Sequence, residues 1–79
     1  MIVIYTQNNT IIKNSLDAAK DDIVRLYGEK LGAEAYTRLK NERIGDSYRK
    51  SGGPLIKVVT KEQAKTIFEK ESSIGMILG

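Results

Sequence analysis

The chain has 79 residues and a net charge of +3, from 13 Lys and Arg against 10 Asp and Glu, and it contains neither cysteine nor histidine. Disulfides and thiolate metal sites are therefore excluded, and so are the commonest general base and the commonest metal ligand. Carboxylates alone make a poor zinc site, so no metal, cofactor or catalytic residue is expected. Ser15, Ser47 and Ser51 have no histidine to activate them as nucleophiles. Non-enzymatic action is the expectation.

A chain of this length makes one domain, 1–79, and buries only about 60–65% of the surface it exposes when unfolded. Its longest apolar run, Met1–Ile4, has four residues, far short of a membrane span. That opening also lacks the basic flank and cleavage site of a signal peptide. A cytoplasmic protein is expected.

Met1–Thr6 reads as a strand, continuously apolar and rich in β-branched residues. Gln7–Thr10 is a turn by composition, and Ile11-Ile12 pairs back as a short hairpin arm or leads into a helix. Asn14 or Ser15 then caps a first helix, with Asp17, Asp21 and Asp22 near its positive end. Leu16, Ala19, Ile23, Leu26, Tyr27 and Leu31 form its apolar stripe, Asp21 and Arg25 are an i,i+4 pair, and Gly32 supplies a stop. A second helix is expected over 33–44, with Glu34, Arg38 and Glu42 as an exposed charge ladder and Gly45 ending it.

Gly45–Gly53 reads as a flexible loop. Pro54–Thr60 is a β-branched strand leading straight into a third helix, which Thr60 and Gln63 open as a capping box. Ile74–Leu78 is an apolar tail, either a final strand beside the first or an interface. The order β(β)-α-α-β-α(-β) implies an α+β or small α/β fold, with helices packed on a small sheet centred on strand 54–60. If strands 1–6 and 54–60 are parallel neighbours, their connection is right-handed. Expected core residues are Ile2, Ile4, Leu16, Ile23, Leu26, Leu39, Leu55, Ile56, Val58, Val59, Ile67 and Phe68. That set thinly covers two sheet faces, so a homodimer through a sheet edge or the tail is also expected.

Charge is unevenly spread. Residues 38–57 carry six basic side chains against two acidic ones, and the rest of the chain carries seven against eight. The loop in this segment is not a phosphate-binding loop: Arg49 stands where the second glycine belongs before Lys50-Ser51, and a strand follows instead of a helix. Arg38, Lys40, Arg43, Arg49, Lys50 and Lys57, with Tyr48 as an aromatic face, are the candidate partner-binding residues. The bland reading of the same residues is a wet, polar loop.

The opening Ile2-Val-Ile-Tyr-Thr, followed by a short loop and a helix, resembles the start of glutaredoxins. The Cys-x-x-Cys of that family would fall at Thr10 and Lys13, and Pro54 matches its proline before a later strand. The resemblance implies at most a catalytically empty thioredoxin-like domain, with strand 1–6 central and parallel to 54–60 and a cis bond before Pro54, because no thiolate can form here. In style the chain also resembles compact accessory proteins of phages and mobile elements. The favoured expectation is a small regulatory protein docking on an acidic protein partner, with nucleic acid bound through the basic segment as the alternative and no membrane association.

Overall fold

The computed structural model describes residues 1–71 and 76–78. Strand β1 (Ile2–Tyr5) turns back into β2 (Thr10–Lys13), which leads into helix α1 (Leu16–Leu39). After it come β3 (Ser47–Tyr48), β4 (Leu55–Val58), helix α2 (Lys61–Glu71) and β5 (Met76–Leu78). The fold is α+β. Its sheet runs in the order β3-β4-β1-β2-β5, with the pairs β3–β4, β4–β1 and β1–β2 antiparallel and β2–β5 parallel.

The sheet is centred on β1 and not on 54–60. Ile2, Val3 and Ile4 are all fully buried, because a strand covered on both faces has no place for a polar residue. β4 carries Lys57 in mid-strand, half-exposed, and so lies nearer an edge. β1 and β4 are neighbours as expected, but antiparallel, with Ile4 opposite Ile56. The Ile11-Ile12 arm does form, and the Thr6–Asn9 turn closes it through Thr6 N–H to the Asn9 carbonyl at 2.9 Å.

One face packs Ile2, Ile4, Ile11, Ile56 and Val58 against Leu16, Ala19, Ile23, Ala35 and Leu39 of α1. The other packs Val3, Ile12 and Val59 against Ala64 and Ile67 of α2. The sheet is therefore covered on both sides. Of the expected core, Leu26, Leu55 and Ile67 are only half-buried and Phe68 is 37% exposed. Val3, Ile11, Ile12, Tyr48 and Ala64 join it instead.

α1 contains a sharp break. Gly28 has φ 84° and ψ 171°, a region essentially reserved for glycine. The halves on either side fold back on one another: Tyr36 donates its hydroxyl to Asp17 at 2.6 Å, and the Lys20 ammonium lies 5.5 Å from the Tyr36 ring centroid. Two helical segments are present as expected, but the division falls at Gly28 and not at Gly32. Gly32 instead lets the halves approach, since a Cβ there would stand 3.1 Å from Val24 Cα.

The start of α1 is satisfied from two sides. Ser15 Oγ accepts from Ala18 N–H at 3.1 Å, and Glu42 Oε1 accepts from Leu16 N–H at 3.0 Å. Such caps contribute about 1 kcal/mol each. Glu42 is thus a cap, not a rung of a helical charge ladder, and the helix ends at Leu39 instead of reaching Ile44. Arg25 pairs with Asp22 at 2.8 Å, not with Asp21. The expected box at α2 is present: Thr60 N–H donates to Gln63 Oε1 at 2.9 Å, and Gln63 N–H donates to Thr60 Oγ1 at 3.0 Å.

The final strand falls beside β2, not β1, with Ile12 opposite Leu78. Ile74 and Gly75 of the apolar tail lie outside the described residues.

Candidate functional site

The segment expected to be a flexible loop is a shaped β-hairpin. Asp46 N–H donates to the Arg43 carbonyl at 3.0 Å, and Gly45, at φ 95°, takes the third position of this turn. Gly45 N–H and the Asp46 carbonyl then both bond to Val58, so two residues face one. This is a bulge with glycine in the left-handed position, which ends one strand and re-aims the next. Beyond Tyr48, Gly53 N–H closes on the Lys50 carbonyl at 2.9 Å, with Ser51 at φ 54° and Gly52 at φ 70° between them. Positive φ at both central residues matches the twist of paired strands.

Tyr27 of α1 holds this turn. Its hydroxyl accepts from Lys50 N–H at 3.2 Å and donates to the Pro54 carbonyl. The hydroxyl thus stands where a direct ladder bond between those two residues would run. Tyr48 packs edge-on to Tyr27, with ring centroids 5.5 Å apart at 77°. α1 and the hairpin are joined through these two rings.

A depression of about 400 Å³ lies between the second half of α1 and β3, lined by Glu34, Arg38, Ser47, Tyr48, Arg49 and Lys50. Glu34 Oε1 accepts from Lys50 Nζ at 2.7 Å and from the Tyr48 hydroxyl at 3.3 Å. The hydrogen bond from Lys50 holds the Glu34 carboxyl below its ordinary range, and the same bond raises the Lys50 ammonium. Burial, with the Glu34 charge behind it, pushes the Tyr48 phenol up. Arg49 Nε donates to the Gly53 carbonyl at 3.1 Å, which orients the guanidinium and leaves its two terminal nitrogens available. Arg38 is exposed and is within electrostatic reach of Glu34 and Lys50. Three cations surround one carboxylate, so the rim keeps a positive excess.

Of the residues chosen from the sequence, Arg38, Arg49 and Lys50 come together here. Lys40 and Arg43 are exposed on the segment after α1, outside the depression's lining. Lys57 is on the opposite face of the sheet, beside Tyr5, Val59, Gln63 and Ile67. Tyr48 is no exposed stacking face: it is 5% exposed, because its place opposite Ile56 turns the ring into the core beneath α1. Sequence reasoning missed Glu34, the acidic centre of the cluster, and Tyr27, which it assigned to core packing alone.

A second concavity, of about 460 Å³, runs between α2 and the sheet, lined by Met1, Ile12, Ala64 and Phe68 and rimmed by Asn14, Lys61 and Lys65. Among the described residues no group of acidic side chains stands close enough to hold a metal ion. No helix among them is long and apolar enough to cross a membrane. The thioredoxin-like arrangement fails in two respects: β1 and β4 are antiparallel, and the bond before Pro54 is trans. Comparison with known proteins gives no match to any family, to any characterised protein or to any solved structure.

Proposed function

We propose that this protein acts by docking and not by catalysis, offering the basic rim of the β3–β4 hairpin to an acidic surface on a larger protein. The supporting observation is the convergence of Arg38, Arg49 and Lys50 on one depression beside a hairpin whose shape is fixed by a bulge, a tight turn and the Tyr27 hydroxyl. Arg49 and Lys50, tied to Gly53 and Glu34, lose little entropy on binding, and guanidinium groups suit carboxylates because they present paired donors. Among these residues Glu34 already occupies Lys50, so Arg38 and Arg49 are the principal anchors. Burial of Tyr48 leaves the nucleic-acid alternative its basic residues but no stacking face at that position.

The test is fluorescence anisotropy of labelled hexaglutamate and of a labelled single-stranded oligonucleotide against the full chain, at low and moderate salt. Hexaglutamate should bind and weaken with salt, and Arg38→Glu with Arg49→Glu should reduce its affinity at least tenfold. Tighter, steeply salt-dependent binding of the oligonucleotide would favour a nucleic-acid partner. No binding of either probe at low salt would overturn the docking reading.

A further inference from the structure

Resting on the docking reading, we infer that the partner contributes an extended acidic segment that adds to the sheet as a further strand along β3. β3 is the first strand in the sheet order, and among the described residues nothing pairs with its outer side. The direction of its free backbone groups follows from the hydrogen bonds on its inner side. Asp46 and Val58 are bonded across the ladder, and Ser47 lies opposite Lys57, Tyr48 opposite Ile56. Bonded and non-bonded pairs alternate in an antiparallel ladder. Tyr48 therefore spends its backbone groups on Ile56, and Ser47 points its N–H and C=O away from β4. Arg49 does the same one pair further on, since Lys50 N–H is turned inward to the Tyr27 hydroxyl. The edge presents two donor–acceptor sets, at Ser47 and Arg49, at the spacing an extended peptide matches.

The depression rimmed by Arg38 and Lys50 includes both β3 residues in its lining. On a paired strand, the residue opposite Tyr48 points to the same face as Tyr48, which is the α1 face. A glutamate or aspartate there enters the depression, and its neighbour two residues along lies opposite Lys50 on the same face. Residues between them face the side of Ser47 and Lys57. Backbone pairing supplies affinity, and the cations select acidic side chains at alternate positions, as in other strand-addition interfaces. β3 is short and follows a bulge, but no proline lies in it, and among the described residues nothing pairs with its outer side.

The probe is a labelled, blocked peptide of alternating threonine and glutamate, nine residues long, together with a copy N-methylated on the backbone groups of one edge and a copy N-methylated on the other. N-methylation removes a strand's donors and keeps its charge. One methylated copy should bind at least tenfold more weakly than the parent and the other about equally, and the amides of Ser47 and Arg49 should become protected from hydrogen exchange when the parent binds. If all three peptides bind alike, docking stands and strand addition is overturned. If none binds at low salt, both fail. If the Ser47 and Arg49 amides are already protected in the free protein, and its mass doubles with concentration, the edge is occupied by a second copy of this chain, and the proposed partner is wrong.

Discussion

Tyr27 and Gly53 meet where a larger residue could not be placed: a Cβ on Gly53 would stand 2.7 Å from Cε1 of Tyr27 and 2.9 Å from its hydroxyl oxygen. The same hydroxyl bridges Lys50 and Pro54 across the hairpin. Tyr27→Phe should therefore cost about 1 kcal/mol, the net worth of a typical hydrogen bond, with the fold intact. Gly53→Ala should cost more, because it drives the ring away and breaks both bonds. In urea denaturation the double variant should lose less than the two single losses added together, since both act on one contact.

The two glycines of α1 answer to different physics. Gly28 is fixed by its backbone angles, since a Cβ there would meet nothing within 4 Å, whereas Gly32 is fixed by contact with Val24. Gly28→Ala should destabilise by about 1–3 kcal/mol from backbone strain. A synthetic chain with D-alanine at 28 should escape that cost, because the mirror residue accepts positive φ. D-alanine at 32 should not be tolerated, as it sits within right-handed helix. Thermal unfolding followed by circular dichroism distinguishes these outcomes.

Glu34 gives the joint between α1 and the hairpin a pH dependence. Its folded-state carboxyl is held below the ordinary value by Lys50, so its contribution is present above the unfolded value and lost as pH falls through the folded one. The raised Lys50 ammonium and Tyr48 phenol act in the opposite window: their contributions are present below their unfolded values and fade as pH rises through the folded ones. Glu34→Gln should flatten the acid limb, and the difference in urea midpoint between it and the parent should vanish at the acid end of a pH series.

β5 shields one side of β2 through the pairs Thr10–Met76, Ile11–Ile77 and Ile12–Leu78. A chain ending at Ser73 should keep its helical signal but bare that edge. Light scattering should then show its mass rising with concentration, as unpaired edges template association. An unchanged monomeric mass would assign the shielding role elsewhere.

Much of the fold is legible in the residues. The β-branched run before Thr60, the capping box with Gln63 and the turn expected at Gln7–Thr10 are all local signals, and each is realised, the turn one residue earlier at Thr6–Asn9. The centre of the sheet is legible too, once polarity is weighed above the length of the apolar run. Ile2-Val3-Ile4 has no polar residue and must be covered twice, whereas Lys57 marks its strand as partly wet. The break at Gly28 is less accessible, because Gly28 and Gly32 are four residues apart and only the meeting of Val24 with Gly32 separates their roles. β3 escapes notice since two residues show no periodicity, and a bulge at Gly45 hides their alternation. The basic cluster is half legible: charge density locates it, but strand alternation sends Lys57 to the far face and Tyr48 inward. Glu34 and Lys50, sixteen positions apart, meet only through the tertiary fold.

The place of β1 has a kinetic consequence. Its pairing with β2 closes a turn of a few residues, and β3 with β4 closes another, so both hairpins can form early from local chain motion. The seam between β1 and β4 joins residues fifty or more positions apart, from Tyr5 with Leu55 to Ile2 with Val58. Closing so long a loop carries an entropic penalty that is recovered only when the two sides pack. Assembly of the molecule should accordingly wait on that seam, with truncation of Ile56 speeding unfolding more than it slows folding.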